Sequence, residues 1–98
     1  MTAELEAWRL AWWDALDEIR AARGMHWVTL SRFAGLDRSA WKPSRIEEGH
    51  WPGDLDVIST LLATLGIQPA SFAAMVDRYV AIRTRASLAP HGNAERAA

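Results

Sequence analysis

The chain has 98 residues, of which 50% are apolar and 23% are charged, and it contains no cysteine. This length allows one globular domain, and the missing thiols exclude disulfide scaffolds, thiolate zinc sites and cysteine nucleophiles. Acidic Glu4 and Glu6 stand where a secretory signal would carry bases, and no apolar run approaches the roughly 18 residues of a membrane helix. The sequence therefore predicts a soluble, cytoplasmic domain that makes no membrane contact.

The formal net charge is only −1, but the charges are distributed unevenly along the chain. Residues 1–18 hold five acids against one base, whereas residues 19–50 hold six bases against three acids. A basic centre in a nearly neutral chain is either the footprint of a phosphate contact or an ordinary solvated face. The charge distribution by itself favours a solvated surface of mixed charge over a phosphate contact.

Apolar spacing predicts an all-α protein with five helices and no strand. The first helix is expected over residues 3–23, with Thr2 as its N-cap and Gly24 just beyond its end. Its core-facing stripe falls within about 80° of arc at 100° per residue. The stripe consists of Leu5, Trp8, Trp12, Leu16 and Ile19.

A short second helix is expected over residues 26–34, closed by Gly35, and a third helix is expected to begin at Arg38. Pro43 must stop, kink or restart this third helix, because proline lacks the N–H and clashes with the preceding turn. Trp41 and Ile46 are expected to be core positions on either side of that proline.

Local signals also delimit the last two helices. Asp54 is the expected cap of the fourth helix, Gly66 its end, and Pro69 the first residue of the fifth helix. Beyond about Ala86 the apolar periodicity is lost. The predicted organisation is therefore one domain over residues 1–86 and a disordered, flexible tail over residues 87–98.

A longer pattern runs through residues 16–66. It includes RAARGM at 20–25, FAGL at 33–36, RIEEG at 45–49 and LATLG at 62–66. With this pattern the chain resembles the Cro/C1-type (lambda-repressor-like) helix-turn-helix family, in its branch of small phage-type regulators. The resemblance implies a five-helix fold with an extended first helix and a helix-turn-helix unit at about residues 26–48.

The resemblance also implies a function. It indicates a sequence-specific transcriptional regulator, with repression favoured, that binds double-stranded DNA as a homodimer on a pseudo-palindromic operator. Carried over by position on the third helix, the residues expected to read bases are Arg38, Ser39, Lys42 and Arg45. The residues expected near phosphates are Arg20, Arg23, His26, Trp27, Arg32 and Ser44.

Two apolar sets are candidate partner surfaces, one off the stripe of the first helix and one on the stripe of the fifth helix. Leu10 and Trp13 of the first helix form either a dimer or partner surface or part of a wider internal core. Met75, Tyr79 and Ile82 of the fifth helix offer a second such face. A different class of function therefore stays open, in which the helix-turn-helix scaffold is an antitoxin-like or adaptor module that binds a protein and little or no DNA.

Nothing in the sequence has the spacing of a catalytic or metal site. The three histidines are scattered, and no glycine belongs to a phosphate-binding loop motif. We therefore expect no enzyme activity, no cofactor and no metal.

Overall fold

The computed structural model describes residues 2–36 and 41–97, with side chains as far as residue 86. Five helices and no strand occur in this part of the chain, as predicted. They are α1 (Ala3–Ala22), α2 (Trp27–Phe33), α3 (Pro43–Glu47), α4 (Leu55–Leu65) and α5 (Pro69–Ala97). No single helix in the described ranges is long and apolar enough to cross a membrane; α4 and the following part of α5 pass that test only together, with a 116° bend between them.

Local capping sets the helix boundaries where the sequence predicted them. The Thr2 hydroxyl accepts a hydrogen bond from the Leu5 N–H at 3.2 Å, and the Asp54 carboxylate accepts one from the Val57 N–H at 3.0 Å. Each satisfies one of the N–H groups that a helix leaves without an internal partner. At the other end of α4, Gly66 adopts a φ of 70°, a conformation that glycine adopts without strain. The bounds of α1, α2 and α4 and the start of α5 are thus confirmed.

The first and fifth helices run antiparallel along one another, as their ion pairs show. Asp14 pairs with Arg83, and one turn later Glu18 pairs with Arg78. α2 packs against α4 on the other side of the core. The buried apolar residues join these layers, and the largest of them that are completely enclosed are Trp41, Leu16, Leu30 and Leu61.

The predicted core stripe of α1 is wrong at its N-terminal end. Leu16 and Ile19 are buried as expected and Trp12 is half-buried, but Leu5 is 51% exposed and Trp8 is 40% exposed. The first turns of α1 extend to the rim of the helix layer, where less protein covers them. Toward the middle, α1 is buried over a wider arc than the stripe, because other segments pack on both of its flanks.

The described part of the third helix begins at Pro43, with Lys42 as an extended N-cap residue, which agrees with the expectation that Pro43 stops, kinks or restarts the helix. Pro43 is therefore the first residue of this helix, the position where its missing N–H costs nothing. The expected start at Arg38 lies outside the described residues. The backbone of the fifth helix continues to Ala97 instead of ending near Ala86, although Pro90 and Gly92 in this stretch disfavour helix. The flexibility predicted for residues 87–98 stays a prediction.

Candidate nucleic-acid interface

Three tryptophans form the floor beneath α3. Trp13, Trp27 and Trp41, here called the tryptophan cluster, meet edge to face with ring centroids 5.7 to 6.4 Å apart. Trp41 and Trp13 are 1% and 2% exposed, respectively. Aromatic pairs in this arrangement are favourable beyond the apolar area they bury. The cluster ties α1, α2 and the chain before α3 into one rigid support.

Buried donors in this support hold the chain that carries α3. The Trp13 Nε1–H donates to the His50 carbonyl at 2.8 Å, and the Trp41 Nε1–H donates to the Pro52 carbonyl at 2.6 Å. We call residues 41–52 the α3 segment. A five-residue helix has no stability of its own, because its single turn cannot offset the cost of nucleation. The Trp13 bond therefore fixes the α3 segment to α1, and the Trp41 bond joins the two ends of the segment to each other.

Arg9 of α1 is the third donor and the only charged one. Its guanidinium, on a residue 3% exposed, donates to the carbonyls of Ile46 at 2.8 Å and His50 at 3.3 Å. Glu6 pairs with the same guanidinium, and this hydrogen bond lowers the pKa of the Glu6 carboxyl below its ordinary value of 4.5. A cation at the C-terminal carbonyls of a helix is electrostatically favourable. Arg9 thus satisfies the end of α3 while its own charge is compensated.

Gly49 allows the backbone turn that brings the His50 carbonyl to Arg9 and Trp13. It follows the last turn of α3 with a φ of 89°, and the His50 N–H then bonds back to the Arg45 carbonyl at 3.0 Å. This is the αL closure that glycine permits at a helix C-terminus. The turn directs the His50 carbonyl toward Trp13 and Arg9, while the His50 side chain is exposed and lies 3.2 Å from Glu48.

The polar side of the α3 segment faces solvent. Lys42, Ser44 and Arg45 are all exposed, and the Arg45 N–H bonds to the Lys42 carbonyl at 2.9 Å, which keeps them within one turn. Ile46 is half-buried and packs against the core. The prediction that Ile46 and Trp41 anchor this segment is confirmed.

The two charged regions of the sequence differ in how their charges are used. Three acids of α1 pair with arginines of α1 or α5, Asp14 with Arg83, Glu18 with Arg78, and Asp17 with Arg20. Within residues 2–36 and 41–86, no ion pair involves Arg32, Lys42 or Arg45. Most of the negative charge of α1 is thus compensated within the fold, whereas these three exposed bases are not engaged by a carboxylate in the described chain.

The remaining predicted DNA-facing residues divide into three groups. Arg38 and Ser39 lie outside the described residues. His26 and Arg32 are exposed on α2, where His26 is the N-cap residue without a capping side-chain bond. The other three also support the fold. Arg20 lies 5.5 Å from the Trp27 ring centre and donates to the Met25 carbonyl, Arg23 donates to the Leu65 carbonyl, and Trp27 belongs to the tryptophan cluster.

Of the two readings left open for Trp13 of α1, a partner surface or a wider internal core, the structure supports the internal core. Its ring is enclosed by the tryptophan cluster and its N–H is bonded, so it presents no surface to a partner. Leu10 is half-buried, as are Met75 and Tyr79, whereas Ile82 is 49% exposed. The Tyr79 hydroxyl donates to Glu18 at 2.8 Å, and this bond raises the pKa of the phenol.

Sequence reasoning missed Arg9 altogether. In the sequence it is one base in an acidic helix, three residues after Glu6, which is the spacing of an ordinary surface pair. Its i+4 neighbour Trp13 was the only available signal, since an off-stripe arginine and tryptophan on one side of a helix indicate a second buried flank.

The chain matches no protein-family model, no curated protein and no solved structure. The helix-turn-helix resemblance therefore rests on the residues of this chain alone, and the function has to be argued from the α3 segment.

Proposed function

We propose that this protein is a sequence-specific DNA-binding regulator that reads the major groove with the α3 segment. The observation that carries the proposal is the pairing of charges. All acids of α1 except Glu4 are engaged by arginines of α1 and α5, while exposed Lys42 and Arg45 share one turn without a carboxylate partner in the described chain. Arginine is the side chain best suited to guanine O6 and N7, and lysine serves bases or phosphates.

The support beneath the α3 segment favours the same function. Base readout requires side chains that are held in register, and side chains on a mobile loop pay an ordering cost when they bind. Arg9, Trp13 and Trp41 hold the backbone of residues 46–52 through buried hydrogen bonds. Arg38 and Ser39 complete the proposed readout set by resemblance, and Arg32, His26 and Ser44 are the proposed phosphate neighbours.

A second copy would double the number of bases that such a small reading element contacts. We therefore propose a homodimer on a pseudo-palindromic operator, with half-sites about 34 Å apart. Its proposed face is the flank of α5 that carries Met75 and Ile82, since Ile82 is a large apolar side chain with 49% exposure. Repression is the proposed outcome, by occupancy of the operator.

The test begins with selection of bound duplexes from a random pool, followed by anisotropy titrations of the selected site at about 50 and 200 mM salt. We expect an inverted repeat to be enriched and the affinity to fall steeply with salt. Arg45→Ala should weaken specific binding by roughly 5- to 150-fold, the loss expected for one base-reading arginine. Arg85→Ala is the matched control, because it removes the same charge from an exposed position on α5.

Each outcome decides the proposal. Equal losses of affinity for Arg45→Ala and Arg85→Ala would show that the interaction is nonspecific electrostatic attraction. A pool without enrichment would refute specific recognition and would favour the protein-interaction alternative. That alternative has lost its predicted anchor, Trp13, to the core.

A further inference from the structure

An apolar groove lies between α1, α4 and α5, away from the α3 segment. Its volume is about 240 Å³, and its floor includes Trp12 and Phe72, whose rings meet edge to face at 5.3 Å. Trp8 and Leu55 form opposite rims and are 40% and 73% exposed. The volume is below the roughly 300–1,000 Å³ of small-molecule sites, so it suits protruding side chains of a macromolecule better than a whole ligand.

Asp77 is the charged side chain that lines the groove among the described residues, and it is exposed on the wall. Two further exposed acids adjoin the rim residues in sequence, since Glu4 lies one helical turn before Trp8 and Asp56 follows Leu55. No lysine or arginine lines the groove among the described side chains, and none of these three acids takes part in an ion pair there. The groove is therefore apolar within and acidic at its edge.

This pattern argues against two occupants. DNA is excluded because its phosphates would meet the acids. A second copy across a two-fold axis is disfavoured, since such an interface joins the same patch to itself and brings each acid toward its own equivalent. The complementary occupant is an apolar segment flanked by bases.

We propose that this groove binds an amphipathic helix of a partner protein, with leucine-sized anchors at i and i+4 and a lysine or arginine that faces Asp77. Laying the apolar face of a helix into such a groove is a recurrent mode of recognition. Trp8 and Leu55 lose their exposure to water when it binds, and the base offsets the charge of Asp77. The site goes beyond the proposed DNA-binding function and uses a different surface, so either proposal can fail without the other.

The test uses two labelled, capped 18-residue alanine-based helices with leucines at i, i+4 and i+7. One carries flanking lysines and the other carries glutamates at the same positions. We expect the lysine peptide to bind the full chain and the glutamate peptide not to bind. Asp77→Lys should weaken binding of the lysine peptide at least fivefold and let the glutamate peptide bind, and Leu55→Ala in the wild-type background should weaken binding of the lysine peptide.

Glu47→Lys is the matched control, because it makes the same charge change on the exposed side of α3. It should leave peptide binding unchanged. Equal effects of Glu47→Lys and Asp77→Lys would overturn the proposal in favour of general attraction, and so would failure of the lysine peptide to bind. Self-association of the wild-type chain that Leu55→Glu abolishes would assign the groove to a second copy and would equally overturn the proposal.

Discussion

The α1–α5 pair and the α3 segment are stabilised by different interactions. α1 and α5 are long helices, packed along their length, and their facing flanks carry Asp14–Arg83 and Glu18–Arg78 ion pairs near the surface. α3 is a single turn with no buried residue, and its backbone is held by buried donors. Periodicity suffices to form the long pair, whereas the short segment depends on a few specific side chains. The loss of one buried donor should therefore matter more than the loss of one ion pair.

The largest effect is expected when the support of the α3 segment is removed. Trp41→Ala empties a fully buried site and removes the bond to Pro52. The free energy of unfolding should fall by about 3–5 kcal/mol, as for other buried aromatic truncations. Urea denaturation measures it, with Trp51→Ala as the control because Trp51 is 42% exposed. Similar losses for the two variants would contradict the placement of Trp41.

Replacing the buried cation comes next. Arg9→Met keeps an apolar stem but removes the donors to the Ile46 and His50 carbonyls, and should cost about 2–3 kcal/mol. Hydrogen exchange should accelerate first in residues 46–50, before α4 is affected. Arg20→Met is the control, because that arginine also pairs with an acid of α1 but is more exposed. Uniform acceleration across the chain would show that Arg9 does not act on the α3 segment in particular.

A smaller effect is expected at the other region. Asp14 and Arg83 form a two-bond pair, but their side chains are 24% and 37% exposed, so solvent screens it. A double-mutant cycle with Asp14→Ala and Arg83→Ala should give a coupling of about 0.5–1 kcal/mol. A coupling free energy larger than the destabilisation caused by Arg9→Met would show that the surface ion pair contributes more to stability than the buried donor.

The smallest effect concerns acid. The bond from Arg9 lowers the pKa of Glu6 in the folded chain, so the unfolded chain binds the proton more readily. The stabilisation from this group is therefore fully present well above pH 4.5 and is lost as the pH falls through the lowered pKa. Urea denaturation at a series of pH values should show that the free energy of unfolding of Glu6→Gln depends less on pH in this window than that of the wild type. Glu4→Gln should behave like the wild type. The same pH dependence of the free energy of unfolding for wild type and Glu6→Gln would show that Glu6 does not contribute to this stabilisation.

Particular residues show how far the sequence could lead. Thr2, Asp54, Gly66 and Pro69 mark helix ends by rules that involve only their own neighbours, and all four were placed correctly. Trp8 was assigned to the core and is exposed, and the environment of Trp13 was left undecided between the core and a partner surface. A single stripe assumes that a helix is covered from one side, whereas α1 lies between α5 on one flank and the α3 segment on the other.

The candidate site divides in the same way. Lys42 and Arg45 were proposed from the sequence, and their exposure agrees with that role. Arg9 could not be assigned, because its partners are carbonyls 37 and 41 residues away. Every residue has a backbone carbonyl, so the sequence does not indicate which carbonyl will accept a hydrogen bond.

The sequence by itself determined the all-helical class and most of the helix ends, since caps, glycines and prolines act through the few residues beside them. The tertiary structure alone decided which tryptophans are buried and which acids of α1 pair with the distant arginines of α5. These properties depend on which distant segments contact one another. The free energy of burying a charge or a hydrogen-bond donor is determined by the partners that those contacts supply, not by the neighbouring residues in the chain.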